Sequence, residues 1–99
     1  MDLRRSSLTF GRWVGALLSE ANHRQLWVPP GFAHGFYVLT PSADVVYKCT
    51  DFYLPEHDRT LRWDDPEVGV AWPLLDQQSP LLSPKDAAGS ALGDASVYP

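Results

Sequence analysis

Hydrophobic and polar positions in this chain fall into short runs broken by proline and glycine, and no apolar repeat at helical spacing outlasts a turn or two. Over Arg12–Leu18 the set Trp13, Gly15, Leu17 interleaves with Val14, Ala16, Leu18, so both faces are apolar and the pattern predicts a strand covered on two sides. Ser19–His23 reads as a turn. A second short strand over Gln25–Val28 is stopped by Pro29-Pro30-Gly31, because proline lacks the donor a ladder needs and glycine permits a sharp reversal. The third strand, Ala33–Thr40, puts His34, Phe36 and Val38 on one face and Gly35, Tyr37 and Leu39 on the other. Pro41–Asp44 has the length of a hairpin connection, and the fourth strand, Val45–Thr50, sets Val45, Tyr47 and Cys49 against Val46, Lys48 and Thr50. If this hairpin pairs as its short loop suggests, His34 and Tyr47 line one cavity.

Beyond Tyr53, residues Leu54–Asp58 form a polar loop, followed by strands at Arg59–Trp63 and Gly69–Trp72 around a turn at Asp64-Asp65-Pro66. Strands at spacings of about eight to twelve residues with turn signals between them predict a mainly β fold, a sandwich or barrel. Ser83-Pro84-Lys85-Asp86 carries the marks of a helix start: serine as cap, proline in the first turn and an acid three residues after the serine. The residues after Ala87 are small and polar, which predicts one domain over residues 1–88 and a loosely held tail over 89–99.

Composition narrows the function classes. A chain of 99 residues makes at most one modest core, and 44% hydrophobic residues with four tryptophans exclude disorder. The net charge of −4, with basic residues scattered among acids, offers no stripe for a phosphate backbone, so nucleic acid is excluded as a partner. Cys49 is alone and closes no internal disulfide, and no apolar run reaches membrane-spanning length; the expectation is a cytoplasmic protein with no membrane association.

The chemistry-bearing residues are few. His23, His34 and His57 form no His-x-His or His-x-x-x-His pair, which argues against a metal site. Cys49 lacks a glycine elbow or an adjacent base and reads as a small buried thiol, and repeated-glycine phosphate loops are absent. His34 and Tyr47 are polar groups on otherwise apolar strands, a placement that fits either a satisfied core position or a ligand-facing one. Trp27, Trp63 and Trp72 read as core or interface fillers, and Glu56–Arg59 fits a hydrated loop as well as a binding one.

The runs RQLWVPPGFAHGF, VVYKCTDFYLPEHDRTLRWDDPEVGVAWP and LSPKDA, in that order and at that spacing, resemble the dTDP-4-dehydrorhamnose 3,5-epimerase family over about residues 2 to 88. The resemblance implies a cupin-type jelly roll, here a partial one, and the conversion of dTDP-4-dehydro-6-deoxy-D-glucose to dTDP-4-dehydro-L-rhamnose without a cofactor. It implies Tyr47 as the proton donor and Asp86 as the carboxylate that orients the catalytic histidine from behind. It also implies substrate contacts at His34, Tyr53 and Lys85, and at Asp58, where the family usually has a glutamate and where Glu56 stands close by.

Such chemistry has clear requirements. Epimerising a carbon beside a ketone needs a base on one face, a donor on the other and a stabilised enolate oxygen between them. A phenol with an ordinary pKa of about 10 stays protonated at neutral pH and is available as that donor. In the family the base is the histidine of an upstream Arg-Gly-Leu-His segment. Met1-Asp2-Leu3-Arg4 resembles an interior Val-Asp-Ile-Arg, so this chain is expected to be a C-terminal portion, inactive alone and forming homodimers. Two other readings stay open: an epimerase acting at a single carbon of another nucleotide 4-keto-6-deoxysugar, and a non-catalytic truncated cupin.

Overall fold

In the computed structural model, which describes residues 1–99, two knots of hydrogen bonds hold the chain together. The first is built on the N-terminal residues. Met1 exchanges backbone bonds with Ala33 and the Leu3 amide donates to the Gly31 carbonyl, while Asp2 bonds instead to Gly11 and Arg12, at 2.9–3.0 Å. That alternation of partners is the period-two geometry of extended backbone. Tyr98 continues it, donating to the Leu3 carbonyl at 3.0 Å and accepting from the Arg5 amide at 2.9 Å. The pairing amounts to an antiparallel bridge of Asp2 with Phe32 and a parallel bridge of Arg4 with Tyr98.

The Asp2 side chain is buried beneath this knot and accepts from the Arg4 amide and guanidinium, from Ser7 and from Thr9, at 2.6–3.0 Å. A buried carboxylate is tolerated only when it is paired and its lone pairs are filled, and here both conditions hold. Gly31 turns the chain beside it with φ +88°, and a Cβ there would meet the Arg4 side chain at 2.8 Å. The reversal at Pro29-Pro30-Gly31 therefore falls where the sequence puts it, and glycine is required both by the dihedral and by the space.

The second knot lies near the C-terminus. Ser90 donates to the Thr60 carbonyl and accepts from the Arg62 amide, both at 2.9 Å, giving a parallel bridge between Leu61 and Ser90. Asp65 is buried at the head of the following turn and accepts from the amides of Glu67 at 2.9 Å and Leu92 at 2.6 Å. Leu92 is itself buried, with its side chain close to Gly11, which joins the two knots.

Four short helical elements punctuate the chain: 3₁₀ turns at Pro55–His57, Leu75–Gln77 and Leu92–Asp94, and α1 at Pro84–Ala87. Helix α1 starts as its sequence dictates, with the Ser83 hydroxyl accepting from the Asp86 amide at 3.1 Å. The Ser19–His23 turn also forms, closed by reciprocal bonds between Ser19 and Asn22. Residues 89–99, expected as a tail, carry the Ser90 bridge, the buried Leu92 and the Tyr98 pairing. Small polar residues gave no apolar stripe, yet backbone groups alone can tie a segment to an edge that offers free partners.

Between the knots, residues 34–53 make no backbone–backbone hydrogen bond, and residues 39–57 are exposed throughout. The accessible surface is 8657 Å² for a chain of 11.0 kDa, against about 5,600 Å² for a compact monomer of that mass. No helix is long and apolar enough to cross a membrane.

Candidate functional site

Three of the side chains singled out in the sequence converge on one oxygen. Tyr53 donates its phenolic proton to Asp58 Oδ2 at 3.0 Å, and Lys85 Nζ donates to the same oxygen at 2.9 Å. The chain arranges this with local devices. Pro55 starts a 3₁₀ turn in which the His57 amide bonds to the Leu54 carbonyl and the Asp58 amide to the Pro55 carbonyl, folding Asp58 back toward Tyr53. Arg59 clamps the turn by donating from Nη1 to the carbonyls of Glu56 at 2.9 Å and Asp58 at 2.8 Å. Lys85 is supplied by the capped first turn of α1.

Each partner sets the charge of the others. The Lys85 ammonium, and then the Tyr53 hydroxyl, hold the Asp58 carboxyl below its ordinary range. The Asp58 carboxylate in turn raises the Tyr53 phenol and the Lys85 ammonium above theirs. All three directions agree, so at neutral pH the cluster holds an ionised aspartate between a protonated phenol and a protonated amine. Its members differ in depth: the Asp58 side chain is 24% exposed and that of Lys85 61%, while Tyr53 is 72% exposed.

Tyr47 is 78% exposed, open to a ligand and not shut in an interior, and the two hydrogen bonds of the cluster do not involve it. Asp86 follows Lys85 on α1 and helps to keep that ammonium charged; its amide is spent on the Ser83 cap. His34 is exposed and makes no hydrogen bond to the cluster. Its neighbour Gly35 lies against the Trp72 indole, where a Cβ would sit 3.6 Å from the ring. Of the six expected site residues the structure therefore bonds Tyr53, Asp58 and Lys85 together, carries Asp86 next to Lys85 on α1, and makes no hydrogen bond from Tyr47 or His34 to them.

A cavity of about 290 Å³ elsewhere is lined by Trp63, Asp65, Pro66, Gly69, Trp72 and Leu74 among others, and shares no residue with the cluster. Its wall is pinned by the Trp72 indole donating to the Trp63 carbonyl at 2.8 Å. Sequence reasoning missed the clamp at Arg59 and the buried Asp2 hub. The first had a signal in Tyr-x-Pro-x-x-Asp-Arg, a proline-started turn between an aromatic and an acid. The second had one in Asp2, Arg4, Ser7 and Thr9, an acid among close donors.

The sequence model of the dTDP-4-dehydrorhamnose 3,5-epimerase family matches residues 1–94. Curated relatives carry that name throughout. A protein of Pseudomonas aeruginosa is 56% identical over all 99 residues, which span 54% of its length. One of Neisseria gonorrhoeae is 57% identical over 95 residues, 96% of this chain and 28% of that protein. One of Mycobacterium tuberculosis is 40% identical over 94 residues, 95% of this chain and 46% of that protein. The chain thus spans about half the length of most such relatives and less of the Neisseria protein. With nearly every residue matched by the family model and by these relatives, this chain belongs to the dTDP-4-dehydrorhamnose 3,5-epimerase family.

Proposed function

We propose that these residues form the donor side of a 3,5-epimerase site for a dTDP-linked 4-keto-6-deoxyhexose, converting dTDP-4-dehydro-6-deoxy-D-glucose to dTDP-4-dehydro-L-rhamnose. The observation that carries the reading is the Tyr53–Asp58–Lys85 cluster, in a chain matched by the epimerase family over residues 1–94. An aromatic face next to a protonated amine suits a nucleotide, whose base stacks and whose diphosphate is paired.

Tyr47 is assigned the proton that returns to the sugar carbon, from the face opposite the base. The base is a histidine outside these 99 residues, and Asp86 is its orienting carboxylate. His34, Tyr53, Asp58 and Lys85 make up the binding surface. Removal of the proton beside the ketone builds charge on the carbonyl oxygen, and the exposed phenol of Tyr47 completes the step by reprotonating carbon. No redox change occurs, so the scheme needs no cofactor. The architecture proposed is part of a jelly roll, working as a homodimer in the cytoplasm.

The test is exchange of the C3 and C5 protons of the keto sugar with deuterated water, followed by mass spectrometry. The 99 residues alone are expected to give none, and addition of the N-terminal portion of the Pseudomonas aeruginosa relative is expected to start exchange at both carbons. Exchange at C3 or C5 only would favour the single-carbon epimerase, and no exchange in the mixture would favour a non-catalytic cupin.

A further inference from the structure

The cluster contains a division of labour that a plain set of substrate contacts does not. Tyr53 and Lys85 are the outer members, and Asp58 is recessed beneath them with 24% of its side chain exposed. Both donors share Oδ2, at 3.0 and 2.9 Å, so moving either displaces the acceptor of the other. Asp58 is also the most constrained of the three, folded in by the 3₁₀ turn at Pro55–His57 and clamped through its own carbonyl by Arg59. A phenol has one proton and Tyr53 spends it on Asp58, which leaves the ring face to a ligand; an ammonium has three and Lys85 spends one here.

We propose that Asp58 is a positioning residue and not a ligand contact: its carboxylate locks the Tyr53 ring and the Lys85 ammonium into one unit that offers an aromatic face and an anion-binding amine to a nucleoside diphosphate. The proposal rests on the nucleotide reading above and changes the role given to Asp58. Arrangement in advance of binding matters because two long or bulky side chains otherwise lose rotamer freedom when the ligand arrives.

The experiment has two arms. In the first, the 99-residue chain with ¹³C-labelled tyrosine and lysine is titrated by nuclear magnetic resonance. Asp58→Asn is expected to lower the titration of both Tyr53 and Lys85 toward the ordinary phenol and amine ranges. The other groups that act on them, Tyr47 and Asp86, are unchanged in this variant. If either titration stays where it is, the shared lock does not exist. Should Asp58→Asn fail to fold, Lys85→Met replaces it, and the Asp58 carboxyl is expected to rise; an unmoved carboxyl overturns the proposal.

In the second arm, thymidine 5′-diphosphate is the probe and calorimetry the readout. Asp58→Asn is expected to weaken binding about tenfold in the native background. In a Tyr53→Phe/Lys85→Met background it should cost about twofold or less, because nothing remains for it to position. An undiminished tenfold loss there would make Asp58 a ligand contact and overturn the proposal. A native chain that binds no thymidine diphosphate counts against the nucleotide reading, while the titrations still decide whether Asp58 holds the pair.

Discussion

Asp2 and Tyr47 lie at opposite ends of what a single residue can do in this protein. Asp2 is buried and saturated with donors, and the Arg4 guanidinium, with Ser7 and Thr9, holds its carboxyl far below the ordinary range. A carboxyl depressed in the folded state lends stability above its unfolded pKa of about 3.9, and that stability is lost as pH falls from there toward the folded value. Asp58 and Asp65 are shifted the same way, so they add to the same acid sensitivity. Asp2→Asn is therefore expected to lower the melting temperature by about 5 °C or more at pH 7 and to flatten the decline below pH about 4. Calorimetric melts at pH 7, 5, 4 and 3 check this; parallel curves for the two proteins would remove Asp2 from the account. Tyr47 is exposed and structurally unburdened, and the role proposed for it is chemical. In the assembled epimerase Tyr47→Phe should cut turnover about 10²- to 10⁴-fold, with a far smaller effect on thymidine diphosphate affinity. The residue types were legible in the sequence, including Tyr53, Asp58 and Lys85. Their mutual bonding was not, because an acid 27 residues from a lysine carries no local signal of contact.

Among the elements, those closed by neighbouring residues came out as the pattern demands. Ser83 caps α1, Ser19 and Asn22 close their turn, and Gly31 reverses the chain. Each depends on side chains within a few positions, which is the range over which dihedral preference and local hydrogen bonds decide. The contacts of residues 89–99 leave no local signal because their partners are remote: Leu3 and Arg5 for Tyr98, Thr60 and Arg62 for Ser90. Gly89 makes that docking possible, since a Cβ there would fall 2.7 Å from the Leu61 carbonyl group. Backbone cannot yield as a flexible side chain does, so Gly89→Ala is expected to cost about 1–3 kcal/mol in urea unfolding. Hydrogen exchange at the Arg62 and Ser90 amides should accelerate with it, and unchanged protection there would show that the bridge tolerates the methyl group.

For the molecule as a whole, surface is the governing quantity. The chain exposes about 3,000 Å² more than a compact monomer of its mass, and Trp27, Phe36, Val46 and Phe52 are among the side chains left open. An excess of total surface of that order, with large apolar side chains exposed in it, is of the size that stable partners bury. Residues 34–53, with no backbone bond of their own, add free donors and acceptors to it. The 99-residue chain is expected to sediment as dimers or larger species at micromolar concentration. A single sharp monomer boundary in analytical ultracentrifugation would refute this.

By itself the sequence determined the local devices and the family, since caps, turns and ordered motifs are written in neighbouring residues and their spacing. Only the tertiary structure decided that the tail is held, that Asp2 is a buried hub, and that Tyr53 and Lys85 meet on one oxygen of Asp58. Those outcomes depend on which distant segments pack together, where the satisfaction of buried and backbone polar groups, not local preference, selects the partner.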